Sequence, residues 1–461
     1  MQAYSDNPLL IKAPIGQQPY SLLPTSEQAQ VDDLVRLRKK RRARRFGHAL
    51  VSTLCLGYLV YLASKYTGIF HHGHCGDSVE HDVVHTLSGI GYTIPSNVSL
   101  VHCVDGTQDR IETTVDSSQD LYESRSSFQL PLDSATIFLV SRGQNLHGAI
   151  SVVTSEDQEV DSAKVVVSLY HTEKSQDWAK VCLLSRGQGE NGVGIFTPIG
   201  RSGHHWDRRS LSYSIAVILP ALDSDKPLQI NNLETDLPNT SHHVGDLSDV
   251  LFDRISLRAT NAPMNLELLV TDSSSVITTN GPITGTLHSS LQSVLTTTNG
   301  PIKVNVNLTS TEQSNATLIA HATNSPINAK INLLSSVGNG GTFFVSTTTT
   351  NSPLSVDFLT SPVDSTLHLV SKTTNGFASV ALDPAYEGSY DIATSRYLSA
   401  RVHHKVPVPE DPSGKGRPRE GHAIGSRNEV RGEIYWGRYD ENRSNGTVFI
   451  RTTNSPVLLD V

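Results

Sequence analysis

One six-residue pattern, Thr/Ala-Thr-Asn-small-Pro-apolar, returns along the second half of the chain and sets most of what it can fold into. It reads Ala259-Thr-Asn-Ala-Pro-Met264, Thr278-Thr-Asn-Gly-Pro-Ile283, Thr297-Thr-Asn-Gly-Pro-Ile302, Ala322-Thr-Asn-Ser-Pro-Ile327 and Thr349-Thr-Asn-Ser-Pro-Leu354. A sixth copy, Thr373-Thr-Asn-Gly-Phe377, lacks the proline, and a seventh, Thr452-Thr-Asn-Ser-Pro-Val457, lies at the end of the sequence. The asparagines are Asn261, Asn280, Asn299, Asn324, Asn351, Asn375 and Asn454, at spacings of 19, 19, 25, 27, 24 and 79. A repeat of this length means supersecondary units that bury their apolar faces only by stacking on one another.

The flanks identify the unit. Apolar residues alternate after the proline, as in Met264/Leu266/Leu268, Ile302/Val304/Val306 and Leu354/Val356/Phe358. They alternate before the motif as well, as in Ile255/Leu257/Ala259. Period two is a strand with one buried face. Ala259 and Met264 are an odd number of positions apart, so one straight strand would turn them to opposite faces. The motif is therefore a corner or a bulge, with Asn-Gly or Asn-Ser making the turn and Pro at a strand start or edge, where a missing N–H is tolerated. The Asn either takes the left-handed conformation that it tolerates better than other non-glycine residues, or spends its amide on the corner or on the Asn one repeat away. Strand–corner–strand units stack into a β-solenoid or an extended two-sheet stack over 249–461. Residues 399–430, with Val406-Pro-Val-Pro and Arg417-Pro-Arg, read as an inserted loop.

Upstream, short β-rich runs occur at Ala135–Val140, Gly148–Val153, Ala163–Tyr170, Ala179–Leu184 and Leu211–Leu219. Their regular spacing predicts an antiparallel β-sandwich-like domain over 125–248. With 37% hydrophobic and 18% charged residues, the 461-residue chain suits neither helical bundles nor multi-span membrane proteins. The expectation is an all-β ectodomain.

The N-terminus is of another kind. Residues 1–46 hold nine basic and four acidic side chains, and eight of the ten residues Arg36–Arg45 are basic. Gly47–Ser64 follows without a single Asp, Glu, Lys or Arg, and the apolar stretch runs on past Lys65 to Phe70. That is long enough to cross a bilayer as one helix, with Tyr58, Tyr61 and Tyr66 suited to the interface. The basic flank keeps the tail in the cytosol. The expected order is a disordered cytosolic tail (1–46), a transmembrane signal-anchor helix in the lipid bilayer (47–70), a stalk (71–124) and the two β regions. This is a single-pass type II protein with its ectodomain lumenal or extracellular, at the plasma membrane ahead of internal membranes. The acceptor sequences for N-glycosylation, at Asn97, Asn239, Asn307, Asn315, Asn442 and Asn445, all lie beyond the span. Cys55 falls in the span; Cys75, Cys103 and Cys182 lie after it, enough for one disulfide, with Cys75–Cys103 the nearest pair.

The recurring Thr-Thr-Asn-Gly/Ser-Pro-Ile unit resembles the putative-adhesin β-repeat domains of bacterial and fungal surface proteins. The run of basic tail, single span, Gly189-Glu-Asn-Gly-Val-Gly-Ile-Phe196, Glu234-Thr-Asp-Leu-Pro238 and repeats is similar to uncharacterised basidiomycete membrane proteins. The resemblance covers most of residues 36–461 and implies an all-β ectodomain with no established biochemistry.

Chemical motifs are sparse. Gly187-Gln-Gly-Glu-Asn-Gly192 fits a dinucleotide fingerprint, but Val-Gly-Ile-Phe-Thr-Pro follows instead of a helix start, so it reads as a tight loop. His71, His72, His74 and Cys75, with His81 and His85, have metal-ligand chemistry without a placed set, and read as a solvated stalk. His204-His205 and His403-His404 read as surface pairs. No nucleophile motif is present, and no cofactor, metal or nucleic acid is expected. The repeats are rich in Thr, Ser and Asn, not carboxylates. The expected function is a non-enzymatic adhesin-like protein that binds cell-wall glycan or a surface protein. The alternative is a carbohydrate-active β-helix enzyme, a polysaccharide hydrolase or lyase.

Overall fold

A computed structural model describes residues 86–87, 90–105, 110–111, 121–172, 179–198, 211–222, 226–438 and 446–461. The basic tail, the apolar stretch 47–70, Cys55, Cys75 and the histidines from His71 to His85 lie outside the described residues, as do His204, His205, Asn442 and Asn445. Among the described residues every regular element is a strand, and no helix is long and apolar enough to cross a membrane.

Strands from Ser99 to Asp460 lie in two facing sheets joined at corners. In the first sheet the neighbours are, in order, Ser99–Asp105, Lys180–Ser185, Glu190–Phe196, Thr136–Arg142 and Leu228–Asp236. The second halves of three long strands follow, Thr240–Arg258, Met264–Ile277 and Ile283–Thr297, then Ala316–Ala322, Thr342–Thr348 and Thr366–Lys372. The second sheet runs Leu121–Pro131, Ser162–Thr172, Leu211–Pro220 and Leu146–Ser155, then the first halves of the same three strands. It continues through Ile302–Ser310, Ile327–Ser335, Leu354–Thr360 and Ala378–Ala381. From Leu228 onward a rung is one strand in each sheet joined by a motif corner, and successive rungs pair in parallel.

Period-two patterning makes these strands, and the space between the sheets takes their apolar side. Met264, Ile302, Val304, Ile327 and Leu354 are buried, and so are Ile255, Leu257 and Ala259 on the other side of the first corner. Leu268 is an exception to the sequence expectation. A register shift between Leu266 and Leu269 turns Leu269 into the core and leaves Leu268 half-buried, because the strand bends there from the second sheet to the first.

The region 125–248 departs from a purely antiparallel sandwich. Leu121–Pro131, Ser162–Thr172 and Leu211–Pro220 do pair antiparallel, but Thr136–Arg142 with Glu190–Phe196 and Leu146–Ser155 with Leu211–Pro220 are parallel. The cause is a corner. Thr136–Arg142 lies in the first sheet, and after Gly143 (φ 128°) and Asn145 (φ 56°) the chain enters the second as Leu146–Ser155. Strands that cross between sheets in this way meet like-directed neighbours, so both sheets run without a break from this region into the repeats.

Two further stretches differ from the sequence reading. Ser99–Asp105, within the expected stalk, is the outermost described strand of the first sheet, and a Cys103–Cys182 disulfide ties it to its antiparallel neighbour. The expected inserted loop 399–430 contains two strands, Ala400–His403 and Arg419–Ser426, leaving 404–418 as the connection. In that connection Asp411 accepts from the Arg417 side chain, which holds its carboxyl well below the usual carboxylate range.

Candidate functional site

The seven motif asparagines stand one above another along the outer edge of the stack, where one corner follows the next. Each donates its side-chain N–H to the side-chain oxygen of the Asn one rung back. The distances are 2.6 Å from Asn280 to Asn261, 2.7 Å to Asn280 from Asn299, 2.8 Å from Asn324, 2.6 Å from Asn351 and 2.7 Å from Asn375, each to its predecessor. Sequence reasoning missed the first member: Asn261 donates to Asn239 at 2.8 Å, and Asn239 closes the row on the Leu146 carbonyl at 3.2 Å. Leu237-Pro238-Asn239-Thr240 lacks the paired Thr of the motif, so only the position of Asn239 at a corner could have revealed it. No described motif Asn has a positive φ; Asn145 and Asp364 are the described non-glycine residues that do. Of the two roles left open by the sequence, the amide ladder is therefore the one present.

Backbone and threonine chemistry explain the rest of the motif. The carbonyls of Thr260, Thr279, Thr323, Thr350 and Thr374, each just before a motif Asn, accept two N–H groups from the next rung; Thr279, for example, accepts from Thr298 at 3.1 Å and Asn299 at 2.8 Å, while the Thr298 carbonyl accepts from Asn324 at 2.8 Å. The first Thr is buried. Thr297 Oγ1 donates to the Gly281 carbonyl at 3.3 Å and accepts from Gly300 N at 3.1 Å. Polar groups at a tight corner are thus hydrogen-bonded without relying on solvent.

A second polar row lies on the outer side of the second sheet. Asn307 donates to His288 Nε2 at 2.7 Å, Asn332 donates to Asn307 at 2.8 Å, and Thr360 donates to Asn332 at 3.1 Å. Of the expected glycosylation residues, Asn97 and Asn239 are exposed in turns and Asn315 in the loop just before Ala316–Ala322, whereas Asn307 sits mid-strand with its amide engaged in this row.

Aromatic and charged side chains gather on the outer face of the first sheet, near the C-terminal end of the stack. Phe344 and His368 stack at 5.0 Å between ring centroids, and His368 Nδ1 lies 2.9 Å from Thr447 Oγ1. On Phe449 the guanidinium of Arg451 lies over the ring at 4.0 Å, and the Lys372 ammonium at 5.6 Å. Asp391 pairs with Arg451 at 2.9 Å and Arg431 at 3.2 Å. Beside Phe449 opens a cleft of 490 Å³, with Ser389, Asp391, His422, Arg431 and Glu433 supplying polar groups. Register explains the grouping: Phe449, Asp391, Arg431 and Ile424 are direct cross-strand neighbours, and so are Thr447, Ser389, Glu433 and His422.

The remaining sequence candidates fall elsewhere. Gly187 (φ 64°) and Gly189 (φ 74°) make a hairpin between Lys180–Ser185 and Glu190–Phe196, so a strand follows where a dinucleotide site needs a helix. The two stretches that carry the resemblance meet there. Arg186 donates to Glu190 at 2.6 Å and to both oxygens of Glu234, at 3.1 and 2.6 Å. His403 lies 3.3 Å from Asp460 on the outer edge of the last rungs. Among the described residues no group of three His, Cys, Asp or Glu is placed to hold a metal ion.

No protein-family model matches the chain, and no curated protein does. Among solved structures the chain is similar to one described as a putative cell adhesion protein from Clostridium sporogenes, with 8% identity, covering 73% of this chain and 98% of that one. The TM-score is 0.15, and a likeness at that level carries no argument about function.

Proposed function

We propose that this chain is a membrane-anchored surface or secretory-pathway protein. Its rung stack, a β-solenoid, is then an adhesin-like, non-enzymatic body that binds glycan or protein. The observation that carries the reading is the outer face of the first sheet near Phe449. An aromatic ring, paired charges and free polar groups there line one cleft on a rigid surface. Ligand sites combine an apolar wall with a few fixed polar groups in this way. The basic run before 47–70 supports the anchor. The Cys103–Cys182 bridge supports an oxidising compartment, and the exposed Asn97 and Asn315 agree with a secretory route.

A second reading has one observation in its favour: the cleft holds two carboxylates, Asp391 and Glu433, and paired carboxylates are what a polysaccharide hydrolase uses. Against it, Asp391 is already committed to two arginines. The full chain in detergent micelles, applied to a glycan array and to immobilised wall polysaccharide and surface protein, tests the two together. Retention lost in Phe449→Ala supports the binding reading. Absence of retention on every surface overturns it. Polysaccharide cleavage abolished by Glu433→Gln establishes the enzyme instead.

A further inference from the structure

The penultimate rung in space is the last in sequence. Seven rungs, with corners at Asn239 through Asn375, stack in chain order and end on Thr366–Lys372 in the first sheet and Ala378–Ala381 in the second. The next rung in sequence, Gly388–Ala393 with Ala400–His403, does not lie on them. Gly446–Arg451 lies between in the first sheet, parallel to Thr366–Lys372 on one side and to Gly388–Ala393 on the other. Val457–Asp460 lies between Ala378–Ala381 and Ala400–His403 in the second. The hairpin Glu429–Trp436 with Arg419–Ser426 then covers the outer edge of Gly388–Ala393.

Residues 446–461 thus fill a slot that the preceding chain leaves between two of its own rungs. The connection 382–387, which bridges that slot, has six residues, as does 336–341, which joins two adjacent rungs. The slot offers strand edges on both sides in both sheets, and its demands are specific. Val448, Ile450, Val457, Leu459 and Val461 go into the core. Asn454 donates to Asn375, Ser455 Oγ to the Asn375 carbonyl at 2.7 Å, and Thr394 Oγ1 to the Ser455 carbonyl at 2.6 Å. Arg451 reaches Asp391 across the same boundary.

Both walls of the slot precede its occupant in sequence, so a growing chain contains both before residue 446 is made. An identical segment from another copy makes the same contacts as the chain's own. Exchange of an identical element is therefore a low-cost route to association. The chain's own segment has the advantage of effective concentration, and crowding of copies on a surface reduces that advantage.

We infer that the slot between 366–381 and 388–403 is a binding site for residues 446–461 of a second copy of this chain, so that copies join by exchanging terminal rungs. The inference is independent of glycan binding: it rests on strand order alone, and it gives the stack a partner of its own kind. Ser379 and Leu458 are register partners on the outer, half-buried side of the second sheet, and a disulfide between adjacent strands at such positions is geometrically accessible. Full-length chains carrying Ser379→Cys alone and Leu458→Cys alone are produced together in one cell, beside a chain carrying both. The double variant closes a 379–458 bridge within one chain. The mixed pair gives a product of twice the chain mass whose 379–458 bridge is identified by mass spectrometry and whose yield rises with expression level. A mixed pair with no such product, beside a double variant that closes its bridge, overturns exchange. A double variant that fails to close overturns the slot itself.

Discussion

Asn454 donates its side-chain amide to Asn375 over 2.6 Å in space and 79 positions in sequence. The same bond joins Asn299 to Asn280 over 2.7 Å and 19 positions. The ladder follows the order of rungs in space, not the order of the chain, and crosses the point where the two orders part. Aligned amides polarise one another, so an uninterrupted row has more value than its separate bonds. It also fixes corner register at positions where alternating side chains alone would allow slippage.

Position along the ladder sets the cost of breaking it. Asn299→Ala removes one bond donated to Asn280 and one accepted from Asn324, whereas Asn454→Ala removes the bond to Asn375. With roughly 0.5–1.5 kcal/mol net per hydrogen bond, the interior change costs about 1–3 kcal/mol and the terminal one about half that. Urea midpoints of the two variants give the comparison. Equal losses would mean that the amides act singly on their own corners and not as a row.

The glycine after Asn is the more demanding position. From the seven copies alone, Gly300→Ser imitates a neighbouring repeat and is the milder change. The structure reverses that order, because a Cβ at Gly300 would stand 1.7 Å from the Gly281 carbonyl oxygen, with backbone on both sides of the clash. Gly281 and Gly376 meet the preceding rung in the same way, at 1.9 and 1.8 Å. Overpacking against backbone costs about 1–3 kcal/mol or more. Gly300→Ser is therefore expected to lower the denaturant midpoint more than Asn299→Ala. A smaller loss for the serine variant would show that the corner shifts freely between its glycine and serine forms.

This contrast marks what the sequence carried. Period-two patterning and the odd step from Ala259 to Met264 are local, and they placed the strands and corners. Ladder or left-handed turn could not be separated for Asn, because both use the same side chain. The close approach at Gly300 depends on the distance between rungs, which no single repeat contains. Strand order at the C-terminal end was hidden for the same reason. Gly446–Arg451 and Gly388–Ala393 are equally good strands, and only contact decides which stacks on Thr366–Lys372. Nor does sequence proximity choose a disulfide: Cys182 lies 79 positions from Cys103 but directly across the sheet from it. In the cleft, the neighbours Phe449, Asp391 and Arg431 come from three strands and share no motif.

Acceptor residues for glycosylation divide by their hydrogen bonds. Asn315 is exposed in a loop, whereas Asn307 donates its side-chain N–H to His288 and accepts from Asn332 in the middle of a strand. A glycan on Asn307 would have to displace that row. In secretory expression, Asn315→Gln is expected to increase gel mobility by one glycan and Asn307→Gln to leave it unchanged. A mobility shift in Asn307→Gln would mean that the strand is modified before the row forms.

Acid should weaken the junction between the upstream region and the rungs through one histidine. His242 is buried, its Nδ1–H donates to the Thr240 carbonyl at 2.9 Å, and its Nε2 accepts from the Thr235 hydroxyl at 2.8 Å. Burial disfavours the imidazolium and pushes its pKa down to about 4, with the Thr240 contact opposing more weakly. In the unfolded chain the same group titrates near pH 6.5. Between these values the unfolded state binds the extra proton, so stability rises with pH across that window. It is complete above about pH 7 and falls as pH drops through 6.5 towards 4, and the shift corresponds to a total of roughly 3 kcal/mol. Other groups titrate in the same range, so the informative quantity is the difference between native protein and His242→Gln. That difference in unfolding free energy should shrink by about 2–3 kcal/mol between pH 7.5 and pH 4.5, because the variant has no imidazole to protonate. Parallel stability curves for the two proteins would mean that His242 takes up its proton without leaving the folded core, and would remove it as the source of acid sensitivity.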